Sequence, residues 1–251
     1  MSGRLSGSTA LVTGSTSGIG AAVAAALAAD GAAVVVSGRD TERGLAVARQ
    51  ITDRGGAASF VRADLAGGAD AVSALASDAV TAAGGRLDIL VNNAAISVAP
   101  GPTSSLTEED IDRVLGVNVK ALLVLTGAVA PLMAARGSGA VVSMGSVNGR
   151  VGMAGFALYG ATKAALESLT RSWAAEYGPS GVRVNAVVPG PTLTPQVAAM
   201  HDQLAPLMDR VPSRRASTPA EVAQAVVFLA SDQAANMHGI CLPVDGGLTV
   251  V

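Results

Sequence analysis

Tyr159 and Lys163 have the clearest capacity for chemistry in this chain. Its 251 residues include two tyrosines and two lysines, and one of each falls four apart in 159-YGATKAALESLT-170, a run that reads as a helix. Positions i and i+4 share a helix face about one turn apart, so the Lys163 ammonium is expected beside the Tyr159 hydroxyl. A unit charge about 5 Å away, at an effective dielectric near 20, is worth roughly 3 kcal/mol, or about 2 pKa units. A phenol titrating near 10 would move toward roughly 7 to 8 and exchange protons at neutral pH. The pair predicts general acid–base chemistry.

A second stretch, 13-TGSTSGIG-20, reads as a ligand cradle. Gly14, Gly18 and Gly20 let the backbone turn tightly and approach a ligand, with Ser17 and Ile19 between them. The alanine-rich helix that follows offers free N–H groups and partial positive charge to a pyrophosphate. A ligand-free connection is the plainer alternative, but the turn lies between a first strand and a first helix, where dinucleotides bind. The end of the next strand, 34-VVVSGRDTER-43, bears on which dinucleotide. Ser37 and Gly38 stand where a carboxylate would hold a free 2′-hydroxyl, and Arg39 follows with a guanidinium suited to a 2′-phosphate. NADP(H) is therefore expected over NAD(H), with NAD open; the alternative is a solvated Arg39 beside a helix-capping Asp40. Asp64, followed by Leu65 in 61-VRADL-65, reads equally as a partner for the adenine amine or as a cap.

These residues need a scaffold, and the sequence predicts one. Strand-like runs recur at 9–13, 33–37, 59–63, 88–92, 140–144, 182–187 and 240–244, separated by helical candidates near 19–29, 41–54, 69–83, 108–134, 157–177 and 219–231. The alternation predicts an α/β fold: a doubly wound parallel sheet of about seven strands with helices on both faces, in one domain spanning 1–251. Asp40 or Thr41, Thr107 and Thr218-Pro219 are expected helix starts, and Gly55 and Gly178 lie near expected ends. The run from 189 to 219 breaks the rhythm with six prolines. It is expected to carry a substrate lid at about 190–215.

Composition excludes other classes. Half the residues are hydrophobic, 14 % are charged and the net charge is −2, so neither nucleic acid nor an anionic membrane is an expected partner. The longest apolar tract, 119–135, contains Lys120 and Pro131 and is short of the about 20 residues a membrane span needs; it reads as a buried or interface helix. No signal-peptide layout opens the chain, so a cytoplasmic protein is expected. A lone Cys241 allows no internal disulfide, and His201 and His238 have no ligand cluster, so no metal is expected.

Taken together, the motifs resemble those of the short-chain dehydrogenase/reductase family in its common single-domain, Rossmann-like type. The similarity runs from Thr9 to Gly247 through TGSTSGIG, NNAA at 92–95, Asn118 in GVNVKA, Ser146 in VSMGS, YGATK, PG at 189–190 and VDGG at 244–247. The resemblance implies that Tyr159 is the general acid for carbonyl reduction and the base for alcohol oxidation, with hydride passing to or from a nicotinamide. It also implies that Lys163 contacts the nicotinamide ribose, that Ser146 bonds the substrate oxygen and that Asn118 holds a water linking Lys163 to solvent. Asn92 and Ala94 would sit against the adenosine ribose and the sheet, and Pro189, Gly190, Thr192 and Thr194 would line the nicotinamide amide and pyrophosphate. Ala95 stands where the family more often has glycine.

The substrate pocket is expected to be closed by Ser97, Val98, Val147 to Phe156, Leu193, Val197, Met200, Leu204 and Met208, with Asn148 as a polar anchor. That mostly apolar set suits a hydrophobic ketone or secondary alcohol. One alternative is a 3-oxoacyl-(acyl carrier protein) reductase, for which Arg136, Arg150 and Arg171 could form a basic patch. Another is a non-catalytic NADP(H)-sensing or scaffold protein. A homotetramer is expected from the apolar surface of the long helices and the family's use of the C-terminal strand.

Overall fold

The computed structural model describes residues 3–195, 208–209 and 211–250. Seven parallel strands form one sheet in the order β3-β2-β1-β4-β5-β6-β7. They are β1 Thr9–Val12, β2 Ala33–Gly38, β3 Ala57–Arg62, β4 Ile89–Asn92, β5 Gly139–Met144, β6 Val182–Pro189 and β7 Cys241–Val244. The order reverses between β1 and β4, and in such sheets the crevice beyond the strands' carboxyl ends at that point receives ligands. The glycine-rich turn follows β1 there.

The strands run without polar alternation because both faces are covered. Ala10, Val12, Val34, Val36, Ile89 and Val91 pack beneath α1 (Gly18–Ala29) and α7 (Pro219–Ala230), against Val23, Leu27, Val222 and Val226. Leu11, Val35, Leu90, Val141 and Val184 point the other way, toward α3 (Gly68–Ala82), α5 (Ala121–Ala135) and α6 (Ala157–Tyr177). Neighbouring residues alternate sides, as extended backbone requires. The expected helix starts are built as read: Asp40 caps α2 (Thr41–Asp53), Thr107 caps α4 (Glu108–Leu115), and Thr218 forms a capping box with Glu221 on α7.

The helix expected over 108–134 departs from regularity. A π-helical turn, Gly116–Lys120, separates α4 from α5. The periodicity on either side is helical, so the extra residue in that turn leaves no mark in the apolar pattern. Glu108–Ala135 is long and apolar enough to cross a membrane by composition, yet half of its most apolar window is buried inside the fold.

Candidate active site

At the glycine-rich turn, positive φ angles of 62° at Gly14 and 55° at Gly18 favour glycine. A β-carbon at Gly14 would stand 2.8 Å from the Ala94 Cα, and one at Gly20 2.4 Å from the Gly14 carbonyl oxygen. A β-carbon at Gly18, by contrast, would meet only the Thr194 side chain, its methyl at 3.4 Å. Ser17 caps α1 in extended geometry without a side-chain bond, and the first turn has no acidic residue. An open backbone approach, free N–H groups and no local negative charge fit a pyrophosphate. Thr194 faces the cradle from the other side.

Residues that the sequence reading did not single out hold this turn in shape. The Asn93 amide donates to the carbonyls of Thr13 at 2.8 Å and Gly14 at 3.1 Å, while its backbone N–H donates to the Thr13 hydroxyl. Ser15 donates to the Val12 carbonyl and accepts from the Ser37 N–H at 2.9 Å, tying the turn to β2. Asn92, its neighbour, keeps its side chain in the sheet, 2 % exposed and donating to Thr126. Its Oδ1 is buried without a hydrogen-bond partner among the described residues. Thr192 is likewise turned inward, its hydroxyl donating to the Gly190 carbonyl.

Arg39 is exposed with no hydrogen-bond or ion-pair partner among the described residues, while Asp40 caps α2 by accepting from the Arg43 N–H. Asp64 caps a short 3-10 turn, Leu65–Gly67, accepting from the Ala66 N–H at 3.0 Å. Leu65 packs on the core beneath α3. Pro189 ends β6, and Gly190 follows so closely against Asp245 that a β-carbon would lie 2.9 Å from its Cα.

Tyr159 and Lys163 lie on the first turns of α6, with the Lys163 nitrogen 5.4 Å from the Tyr159 ring centroid. Lys163 is 4 % exposed and donates to the Met144 carbonyl at 2.8 Å. Burial lowers its pKa from 10.5 to about 8. The Tyr159 hydroxyl departs from the expectation of a depressed pKa: burial pushes it up, and a hydrogen bond with Ser146 only partly opposes this. The simple charge argument omitted desolvation, which disfavours both ionised forms, and here the ammonium is aimed at a strand carbonyl.

Ser146 ends the β5 connection, accepting from the Asn148 N–H. Its turn is interlocked with α6. A β-carbon at Gly149 would stand 2.9 Å from the Ala164 nitrogen, and one at Gly160 2.6 Å from the Asn148 carbonyl oxygen. Arg150 closes the turn through an ion pair with Glu167 at 2.8 Å. Asn118 sits in the π-helical turn, where its carbonyl accepts from the Ile96 N–H and its amide donates to the Ile96 carbonyl and the Thr162 hydroxyl. Thr162 donates to the Tyr159 carbonyl. The Asn118 side chain is therefore committed to the protein, and the link through Thr162 was not anticipated.

Proteins of known sequence and structure resemble this chain over most of its length. A family model described as Enoyl-(Acyl carrier protein) reductase matches residues 14–249. A cis-4-hydroxycyclohexanecarboxylate dehydrogenase of Sinomonas cyclohexanicum is 44 % identical over 183 residues, covering 72 % of this chain and 73 % of its own. A 3-oxoacyl-(acyl-carrier-protein) reductase of Thermotoga maritima is 38 % identical over 167 residues, covering 66 % and 68 %. A crystal structure from Beutenbergia cavernae, assigned as an NAD(P)-dependent gluconate 5-dehydrogenase with bound NADP, superposes with a TM-score of 0.92 at 39 % identity over 98 % of each chain. The chain belongs to the short-chain dehydrogenase/reductase family. It is an NAD(P)-dependent oxidoreductase that interconverts ketones and secondary alcohols.

Around this dehydrogenase/reductase site, Ser97, Val98, Leu106, Phe156 and Tyr159 share one small cavity. The loops carrying them are joined by a bond from the Gly101 N–H to the Gly155 carbonyl. Val147 is buried in the core, whereas Leu193 is exposed. Met208 is half-buried, and Val197, Met200 and Leu204 lie outside the described residues. Two arginines of the expected basic patch are engaged: Arg136 with the Leu132 and Leu87 carbonyls, and Arg150 with Glu167 and the Cys241 carbonyl. Among the described residues no cluster of metal-ligating side chains occurs.

Proposed function

We propose that this enzyme reduces a small, mostly apolar ketone, such as an alicyclic one, using NADPH in preference to NADH. The observation that carries the reading is Tyr159, bonded by Ser146 and backed by buried Lys163, with Val98, Leu106 and Phe156 beside it. The Sinomonas relative, named for a hydroxycyclohexanecarboxylate, supports the alicyclic ring, though that substrate also carries a carboxylate. A nicotinamide dinucleotide held by the Gly14–Gly20 turn would supply the hydride. Tyr159 gives its hydroxyl proton to the carbonyl oxygen, and Ser146 holds that oxygen as it gains charge. Lys163, buried with its ammonium 5.4 Å from the Tyr159 ring centroid, stabilises the phenolate left behind. Asn118 acts as a positioning residue, and its backbone in the π-helical turn is the group left to hold a water on the route to solvent.

Unpartnered Arg39 supports the NADP preference. A charge-assisted contact to a 2′-phosphate contributes about 1.5 to 3 kcal/mol, or roughly tenfold to a hundredfold. The decisive experiment is turnover of cyclic and aliphatic ketones and alcohols with each cofactor. Cyclohexanone-type reduction with higher kcat/KM for NADPH is expected. Failure on every apolar ketone, or higher kcat/KM with NADH, would refute the respective half.

The Thermotoga relative supports a second reading, reduction of 3-oxoacyl groups on an acyl carrier protein. The ion pair of Arg150 with Glu167 counts against the basic docking patch that reading requires, while Arg136 and Arg171 stay exposed. We also propose a cytoplasmic homotetramer. Leu115, Leu123 and Leu132 are 40 %, 44 % and 47 % exposed on α4 and α5, apolar area that a second copy would cover. A monomer in sedimentation at micromolar concentration would argue against the assembly.

A further inference from the structure

Gly38, at the end of β2, faces the glycine-rich turn. A β-carbon there would stand 2.6 Å from the Thr16 γ-methyl and 3.3 Å from the Thr16 hydroxyl oxygen. The backbones cannot easily separate to make room. Ser15, next to Thr16, donates from its N–H to the Ser37 carbonyl and accepts from the Ser37 N–H, both at 2.9 Å, and both serines are buried. Drawing Gly38 away would break that pair of bonds. Relief would require Thr16 to rotate until only its β-hydrogen faced Gly38, and threonine is stiff at χ1.

We infer that Thr16 is a specificity-determining residue: its γ-methyl occupies the space where a side chain at position 38 would begin, so the end of β2 cannot present a carboxylate to the adenosine ribose. Arg39, the next residue, is then the group left at that edge to read the 2′ position. The inference rests on the NADP preference proposed above, but its central claim is a steric coupling between two residues of this chain. It predicts that the carboxylate and Thr16 exclude one another. A Gly38→Asp change alone should not convert the enzyme to NAD, because it first damages the pyrophosphate cradle.

The test is a set of purified variants read by melting temperature and by calorimetric binding of NAD⁺ and NADP⁺, without any substrate. Gly38→Asp alone should melt below wild type and bind both dinucleotides at least tenfold more weakly than wild type binds NADP⁺. Adding Thr16→Ser, which keeps the hydroxyl and removes the methyl, should restore most of the melting temperature and favour NAD⁺ by tenfold or more. Adding Thr16→Val, which keeps the branched shape, should restore neither. If Gly38→Asp alone melted like wild type and favoured NAD⁺ as strongly as the Thr16→Ser double variant, the inference would be wrong. Absence of recovery with Thr16→Ser would overturn it equally. Should Gly38→Asp fail to fold, Gly38→Ala with and without Thr16→Ser decides the coupling by melting alone. Tighter binding of NAD⁺ than NADP⁺ by wild type would remove the Arg39 reading, while the coupling would still stand or fall by the melting data.

Discussion

Replacing Lys163 by methionine tests how the site holds its charge. Lys163 titrates at 10.5 when unperturbed and at about 8 in the folded protein, because burial disfavours the ammonium. Between those values the unfolded chain binds a proton that the folded chain does not, so stability rises with pH across the window. The whole change is about 3 kcal/mol, of which about 2.5 kcal/mol falls between pH 7 and pH 10. Methionine has a similar length and no titration. The expected result is that wild type gains about 2.5 kcal/mol on Lys163→Met over that interval, measured by urea unfolding of ligand-free protein at successive pH values. The comparison stops at pH 10 because burial pushes the Tyr159 hydroxyl above that value, leaving it mostly protonated below. A difference between the two proteins that stays flat within about 0.5 kcal/mol would refute the reasoning, since Lys163 would then be as well solvated folded as unfolded.

Tyr159→Phe should lower turnover at least a hundredfold with cofactor affinity unchanged, measured by steady-state kinetics and dinucleotide binding. Gly160→Ala puts a carbon 2.6 Å from the Asn148 carbonyl oxygen, so it should destabilise the fold by about 1 to 3 kcal/mol and lower kcat by displacing Ser146, read by unfolding and kinetics together. Thr218→Ala removes the cap of α7 and should cost about 1 kcal/mol in urea unfolding while leaving kcat intact.

Strands and helix starts were legible because they depend on local chemistry. A run such as Val34, Val35 and Val36 need only be apolar to be buried between two helical layers, and Asp40, Thr107 and Thr218 cap the helices that follow them through bonds to the backbone three residues on. The Tyr159–Lys163 pair was legible for the same reason, since one helical turn fixes it. What was not legible depends on contacts distant in sequence. Asn92 and Asn93 are adjacent identical side chains with opposite tasks, decided by Thr126 on one side and Thr13 on the other. The pKa of Tyr159 depends on the amount of water excluded by the surrounding fold. The closeness of Thr16 to Gly38 exists only once β2 lies beside the turn.

The π-helical turn at Gly116–Lys120 makes the length of this segment as consequential as its composition. Deleting one residue there would yield an ordinary α-helix with better local hydrogen bonding. It would leave the helix downstream in nearly the same phase, because the wider turn already absorbs one residue, whereas a deletion within α4 or α5 would rotate one flank by about 100° against the other. Leu122, Leu125 and Val129 would stay buried against the sheet, but Asn118 would lose its alignment with Ile96. A library of single-codon deletions across 108–135 should therefore find folded members only within 116–120, and those should have lost activity with the Asn118 geometry. The turn stores one surplus residue, which serves the placing of Asn118 and not the packing of the flanking helices.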